Sequence, residues 1–497
     1  MSRVQRTLLY GLGLVLVGVT ILIVVRRENA APTVASTAQQ TLDTDEVAPA
    51  VCPGGTGGRI TCLLVSVPED HADPEFSSID AFVARVSPAL PTDATPLAFI
   101  GDGLGSAAAS DFGDWQRIAR TLQREIVLID LRGSGMSEPR LVCPEMSRTT
   151  WLERELSGES LEDGQVELRR ALGECAERLA PTLDLTDHTL DAMIADLDVV
   201  RERLAVDRWT LAAGGETSIV ARHAAERFPE TVDGLVLIGV EAGVDDRHVA
   251  RYEYAQEVLD ELLDPTVAAT LERATAPLKN RLIAFPVTSR GRRVRVAVSN
   301  GTVAPTMVRE ASEPEFRDGV APFVLGRLAE GQWRVLAQLR AQQDNALAGR
   351  SVAAATIVLC ADQRWLEAPQ LTDAVDDFDD RWIGLLDDVT LDPGLCDADG
   401  EASIDELGSP GAPPQVGWVP VAPLDPPSAP TVPTLVINGV FDVTAPRSAA
   451  VEVAEAWPDA TVEVLEDAGH PSLTDECTME IVAKFLSVPT DNVDAAC

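Results

Sequence analysis

Basic residues are scarce in this 497-residue chain: 40 Lys and Arg stand against 79 Asp and Glu, for a formal net charge of −39. That shortage excludes a nucleic-acid binder, which needs a basic face to neutralise phosphates, and also electrostatic docking on anionic lipid. The acidity itself reads as solubility and self-repulsion. No Cys-x-x-Cys pair occurs, so a zinc site is a poor use of the eight cysteines. Internal repeats are missing, which excludes a solenoid. Hydrophobic residues reach 45%, so the chain is not disordered and can fill a sizeable core.

The N-terminus departs from the rest. Leu8 to Val25 is an uncharged apolar run of 18 residues, with Arg3 and Arg6 before it and Arg26 and Arg27 after it. It is long enough to span a thin bilayer as a helix. Residues 1–27 therefore read as a membrane anchor or as a signal segment. Thr33-Val34-Ala35 and Ser36-Thr37-Ala38 offer small-residue cleavage sites, and the Arg pair after the run disfavours cleavage. A soluble buried helix is the third reading. Arginines on both sides nearly balance the positive-inside count, so charge does not set the orientation.

The cysteines do. Cys52, Cys62, Cys143, Cys175, Cys360, Cys396, Cys477 and Cys497 make an even set behind an export segment. Such a set points to disulfides in an oxidising compartment, and the spacing favours pairing of near neighbours: 52–62, 143–175, 360–396 and 477–497. The bulk of the chain is expected outside the cytoplasm, anchored or secreted.

Residues 28–50 lack periodicity and read as a flexible linker, with folded structure from about Cys52. Strands are predicted at Ile60–Val67, Ile79–Val86, Leu97–Ile100, Glu125–Asp130, Trp209–Ala213, Leu235–Val240, Thr434–Val440 and Thr461–Leu465. Helical spacing runs through Leu190, Met193, Ile194, Leu197 and Val200, and a second helix follows Trp209–Ala213 to about Arg227. Apolar strands alternating with helices predict an α/β fold with a mainly parallel sheet covered on both faces. The expected parts are a first core segment over 51–244, a mostly helical cap insertion over 245–408, a Pro-rich linker over 409–433 and a second core segment over 434–497. Within the cap, Arg293–Val298 followed by Asn300-Gly301 looks like part of a hairpin.

Catalytic residues in parallel-sheet folds sit past the carboxyl ends of strands. Four such ends stand out: Gly101-Asp102-Gly103-Leu104-Gly105-Ser106, the D-x-R-G-x-G-x-S string at Asp130–Ser137, Gly214-Gly215-Glu216-Thr217-Ser218, and the pair formed by Gly439–Pro446 and Gly469-His470. Together with Val67-Pro68-Glu69-Asp70 and Phe228-Pro229-Glu230, in this order, the chain resembles the α/β-hydrolases, and among them the secreted tripeptidyl-aminopeptidase-like and proline-iminopeptidase-like enzymes. The resemblance runs from about residue 50 to the end, and the cysteines fall where that family places disulfides.

The resemblance implies a Ser–Asp–His order, with Asp442 as acid and His470 as base. It also implies a capped pocket for a peptide N-terminus or a small ester-like ligand, and no cofactor or metal. The nucleophile departs from it. A family elbow reads G-G-S-Y-G-T, and the ungapped match puts Gly215 on the serine; a shift of one residue puts Glu216 there. Ser218, about 5 Å along the helix, is the nearest hydroxyl and the alternative nucleophile. The family loop G-G-P-G is here Gly101-Asp102-Gly103-Leu104, so Asp102 and Glu216 fall in the oxyanion region, where two carboxylates either oppose a developing oxyanion or point to solvent. The expectation is an exported hydrolase-fold protein with lost or strongly reduced hydrolysis and a retained ligand pocket. The alternatives are an active hydrolase using Ser218 or water activated by His470, and a structural envelope protein. The sequence does not set the oligomeric state.

Overall fold

The computed structural model describes most of residues 46–143, 174–240, 281–347 and 428–487, with scattered positions over 254–278 and 354–358. The apolar run at 8–25 and Cys360, Cys396 and Cys497 lie outside the described residues, as does most of the Pro-rich linker. Among the described residues, no helix is long and apolar enough to cross a membrane.

A nine-stranded sheet forms the centre, in the order β1-β2-β3-β5-β4-β6-β7-β10-β11. Its strands are β1 (Val47–Ala50), β2 (Ile60–Pro68), β3 (Ser78–Val86), β4 (Leu97–Asp102), β5 (Ile126–Ile129), β6 (Trp209–Gly214), β7 (Val232–Ile238), β10 (Thr434–Gly439) and β11 (Thr461–Leu465). Pairing is antiparallel from β1 to β5 and parallel from β5 to β11. β4, β5, β6 and β10 are almost wholly buried, as continuous apolar strings in a sheet covered on both faces must be. The helices over the sheet are α1 (Phe112–Leu122), α2 (Leu190–Arg203), α3 (Thr217–Arg227), α7 (Arg447–Ala456) and α8 (Glu476–Ser487). Thr189 caps α2, its side chain accepting from Ala192 N at 3.1 Å, which sets the start where the periodicity placed it.

Two boundaries differ from expectation. Val47–Ala50, read as linker, adds an edge strand to β2; its proline is tolerated because an edge strand leaves one backbone face unpaired. The hairpin at Arg293–Val298 turns before that strand rather than after it. β8 (Ile283–Ser289) pairs antiparallel with β9 (Arg292–Val298) around a two-residue turn containing Gly291 at φ +72°; Asn300-Gly301 lies outside the described residues.

The cap between β7 and β10 also holds α4 (Val303–Ala311), a π-helical turn (Phe316–Val320), α5 (Ala321–Ala329) and α6 (Arg334–Leu347). These elements enclose a separate apolar cluster including Val258, Leu278, Val296, Met307, Phe316 and Leu336. Phe441 and Val443, on either side of Asp442, pack against that cluster. The cap core thus extends onto the loop that carries the expected acid.

Cys52–Cys62 and Cys143–Cys175 are disulfides, as the near-neighbour pairing predicts. Cys477 is also disulfide-bonded, and no described cysteine is free. Glu145 lies beside Cys143 and Cys175, but those sulfurs are spent on their bond and offer no thiolate to a metal.

Candidate active site

The D-x-R-G-x-G-x-S string builds the frame. Asp130, fully buried at the end of β5, accepts from Ala109 N at 2.9 Å and Met136 N at 2.8 Å. Gly135 passes so close to this carboxylate, at φ +52°, that a Cβ there would collide with it. Arg132 runs inward instead. It donates to both oxygens of buried Asp196, at 2.6 and 2.7 Å, and to the carbonyls of Pro68, Glu69 and Asp187. One guanidinium therefore ties the Val67–Asp70 and Asp130–Ser137 segments to α2, and both motifs are structural.

Asp442 and His470, the expected acid and base, come together at the carboxyl edge of the sheet. Asp442 follows β10 and is 1% exposed. Its Oδ1 accepts from Thr444 N at 2.9 Å and Thr444 Oγ1 at 2.7 Å, and its Oδ2 accepts from His470 Nδ1 at 2.7 Å. Burial pushes the Asp442 carboxyl up, but the His470 charge and these hydrogen bonds outweigh it and hold the group below its ordinary value. Gly239 leaves room for the pair, since a Cβ there would run into the His470 ring.

The elbow is formed. β6 leads through Gly214 and Gly215 into α3, with Gly215 at φ +49° and its N donating to Ile238 O at 2.9 Å. This is a strand–turn–helix, and Gly215 at its turn has no side chain. Ser218 lies buried in the first turn of α3, its N donating to Gly215 O at 3.1 Å, and it is not a partner of the His470 ring.

The Nε2 edge of His470 faces Asp102, whose Oδ1 and Oδ2 lie at 3.0 and 3.1 Å. The same Oδ1 sits 3.4 Å from where a Cβ on Gly215 would be and 2.6 Å from one on Gly214. Asp102 thus fills the space between the elbow and the base. Neither of the placements expected for it, beside an oxyanion or out in solvent, describes this contact with the base. Its position follows from the β4–β6 register, which sets Asp102 opposite Gly214. Burial disfavours charge on the His470 ring, but Asp442 and Asp102 on its two sides outweigh that and hold it well above its ordinary value. Both contacts favour the imidazolium, the form that has no lone pair with which to take a proton from a hydroxyl or a water.

The oxyanion side is occupied as well. Asp102 N donates to Ser106 Oγ at 3.0 Å, Gly103 N to Gly214 O at 3.0 Å, and Leu104 N to Glu216 Oε2 at 3.3 Å. Glu216 is therefore turned toward the loop. Thr217, whose Oγ1 lies 2.7 Å from Gly101 O and 2.8 Å from Gly214 O, clamps the loop to the elbow. Ser106 and Thr217 were not legible as site residues, because their roles depend on the loop's path.

Sheet order, elbow and the Asp442–His470 pair define a hydrolase-type α/β fold. The chain belongs to the alpha/beta hydrolase fold family, whose sequence pattern it matches over residues 103–476. Among solved structures it is similar to proline iminopeptidase from Mycobacterium smegmatis, at 14% identity and TM-score 0.41, covering 86% of this chain and 98% of that one. It is likewise similar to a thermophilic esterase from Thermogutta terrifontis, at 14% identity and TM-score 0.37, covering 86% and 99%. No curated protein matches the chain.

Proposed function

We propose that this is an exported α/β-hydrolase-fold protein in which hydrolysis is lost or strongly reduced, and which binds a peptide or small ester-like ligand beneath its cap. The observation that carries this reading is the contact of Asp102 with His470 Nε2, at the edge where a serine hydroxyl would have to be deprotonated. It adds to the bare Gly215 at the elbow and to the hold of Glu216 on Leu104 N. Each works against a different requirement of acyl transfer: nucleophile, free base and oxyanion donor. The disulfides Cys52–Cys62 and Cys143–Cys175 support an oxidising compartment. The apolar run at 8–25 serves in this reading as the anchor or signal.

The test is covalent labelling of the wild type with a fluorophosphonate probe, alongside turnover of aminoacyl and peptide p-nitroanilides. The expected result is no labelling and little turnover. Labelling that disappears in Ser218→Ala would overturn the reading and install Ser218 as nucleophile.

A further inference from the structure

Asp102 combines three properties that a residue fixed for structure alone does not need. Its backbone is pinned, through Ser106 Oγ on its own N and Gly214 O on the next one. Its carboxylate is not pinned: the side chain is 37% exposed and hydrogen-bonds to a single partner ring. The wall behind the carboxylate includes Gly214, where a Cβ would come within 2.6 Å of Oδ1, so the space it fills exists because that Cβ is missing. A rotation about the Asp102 side chain would vacate that space without moving the loop.

We propose that Asp102 is an internal plug of the ligand site: its carboxylate holds the place against His470 Nε2 that a carboxylate of the ligand takes over when Asp102 swings out. This deepens the binding reading given above and rests on it. The chemistry follows from the donor. The Nε2–H of an imidazolium takes an acceptor, and an anionic one retains both the hydrogen bond and the charge pairing that Asp102 supplies. A neutral carbonyl retains only the former, and an ammonium group is repelled. Among the described residues, the groups facing His470 are Asp442 from the β10 loop, Asp102 from the end of β4, and Asp475, which feels the His470 charge from just before α8; Gly239 from the β7 loop presents no side chain. Asp442 is buried and held by Thr444, and Asp475 accepts from Ser472 N at 2.7 Å. Only Asp102 is placed to leave.

The experiment follows the His470 imidazole by NMR in the full-length protein, with the signal assigned among the five histidines by its loss in His470→Gln. Formate is the probe. In Asp102→Gly the titration midpoint of His470 is expected to fall by about one pH unit or more, since one flanking carboxylate is gone. Millimolar formate should then raise it again, saturably. In Asp102→Asn the midpoint should also fall, and formate should restore it at concentrations between those that act on Asp102→Gly and on the wild type, because the amide fills the space but holds the ring less tightly than a carboxylate does. The wild type should respond to formate less than Asp102→Gly does. An unchanged midpoint in both variants would overturn the contact itself. A formate response equal in wild type and Asp102→Gly, or missing from Asp102→Gly, would overturn the plug. Should Asp102→Gly not fold, the formate response of Asp102→Ala decides in its place. Labelling of the wild type by the fluorophosphonate probe would strike the binding reading and leave these titrations standing, so the two failures are separable.

Discussion

Arg317 of the cap lies over Phe441 of the core, its guanidinium carbon 3.9 Å from the ring centroid. It also donates to Asp467 O, and Phe441 N donates to Ala468 O at 2.9 Å. One cap side chain thus grips both loops, the one bearing Asp442 and the one bearing His470. Because the contact comes from the π-helical turn Phe316–Val320, the cap and the acid–base pair are mechanically joined.

Loss of that grip should loosen the cap without unfolding the core. Arg317→Ala removes a cation–π contact and a hydrogen bond, together worth about 1–2 kcal/mol. Hydrogen exchange should quicken over β8, β9 and α4–α6 and around Phe441, with little change in β4–β7. Uniform quickening across the sheet would contradict this.

The Arg132–Asp196 pair is expected to be the most costly polar contact to break. Asp196→Asn leaves a guanidinium that is 1% exposed without its counter-charge, at a cost of about 3–5 kcal/mol. Denaturant unfolding at neutral pH reads this directly. A loss under about 1 kcal/mol would mean that the carbonyls of Pro68, Glu69 and Asp187 suffice to hold the charge.

Two neighbours should pull stability in opposite directions on acidification. Burial, with Arg132 nearby, lowers His188 from 6.5 to about 4. Between those values the unfolded chain binds the extra proton, so the His188 contribution is present above about 6.5 and is lost as pH falls toward 4. Burial, with Asp184, Asp70 and Glu69 nearby, raises Asp187 from 3.8 to about 6. There the folded chain binds the extra proton, so the Asp187 contribution is present below about 3.8 and is lost as pH rises toward 6. Measured against wild type from pH 4 to 6.5, His188→Asn should lose stability less steeply on acidification and Asp187→Asn more steeply. The same change of slope in both variants would show that one assignment is wrong.

Restoring chemistry requires clearing the base as well as supplying the oxygen. Gly215→Ser alone places its Cβ 3.4 Å from Asp102 Oδ1 and leaves His470 Nε2 occupied by that carboxylate, so probe labelling should stay near background. Gly215→Ser with Asp102→Gly frees Nε2, and labelling should rise by about two orders of magnitude or more, the usual contribution of a general base. Adding Glu216→Tyr frees Leu104 N and should raise it further, though not additively, because all three changes act on one transition state. Equal labelling by Gly215→Ser with and without Asp102→Gly would show that the carboxylate does not block the base.

The sequence alone determined the strand–helix alternation and which loops, those of Gly215, Asp442 and His470, meet at the carboxyl edge of the sheet. These are local matters. Uninterrupted apolar strings mark buried parallel strands, and glycine-rich loops at strand ends mark where side chains emerge at one sheet edge. A missing Cβ at Gly215 needs no coordinates to be seen. The tertiary structure decided what fills the vacancy. Asp102 and His470 are 368 residues apart, and no spacing rule links them; only the register that sets Asp102 opposite Gly214 turns its carboxylate onto the imidazole. The same holds for Arg132, whose charge is legible in the chain but whose partner Asp196 lies on another element. Charges act through distance and burial, and both are set by which strands lie side by side.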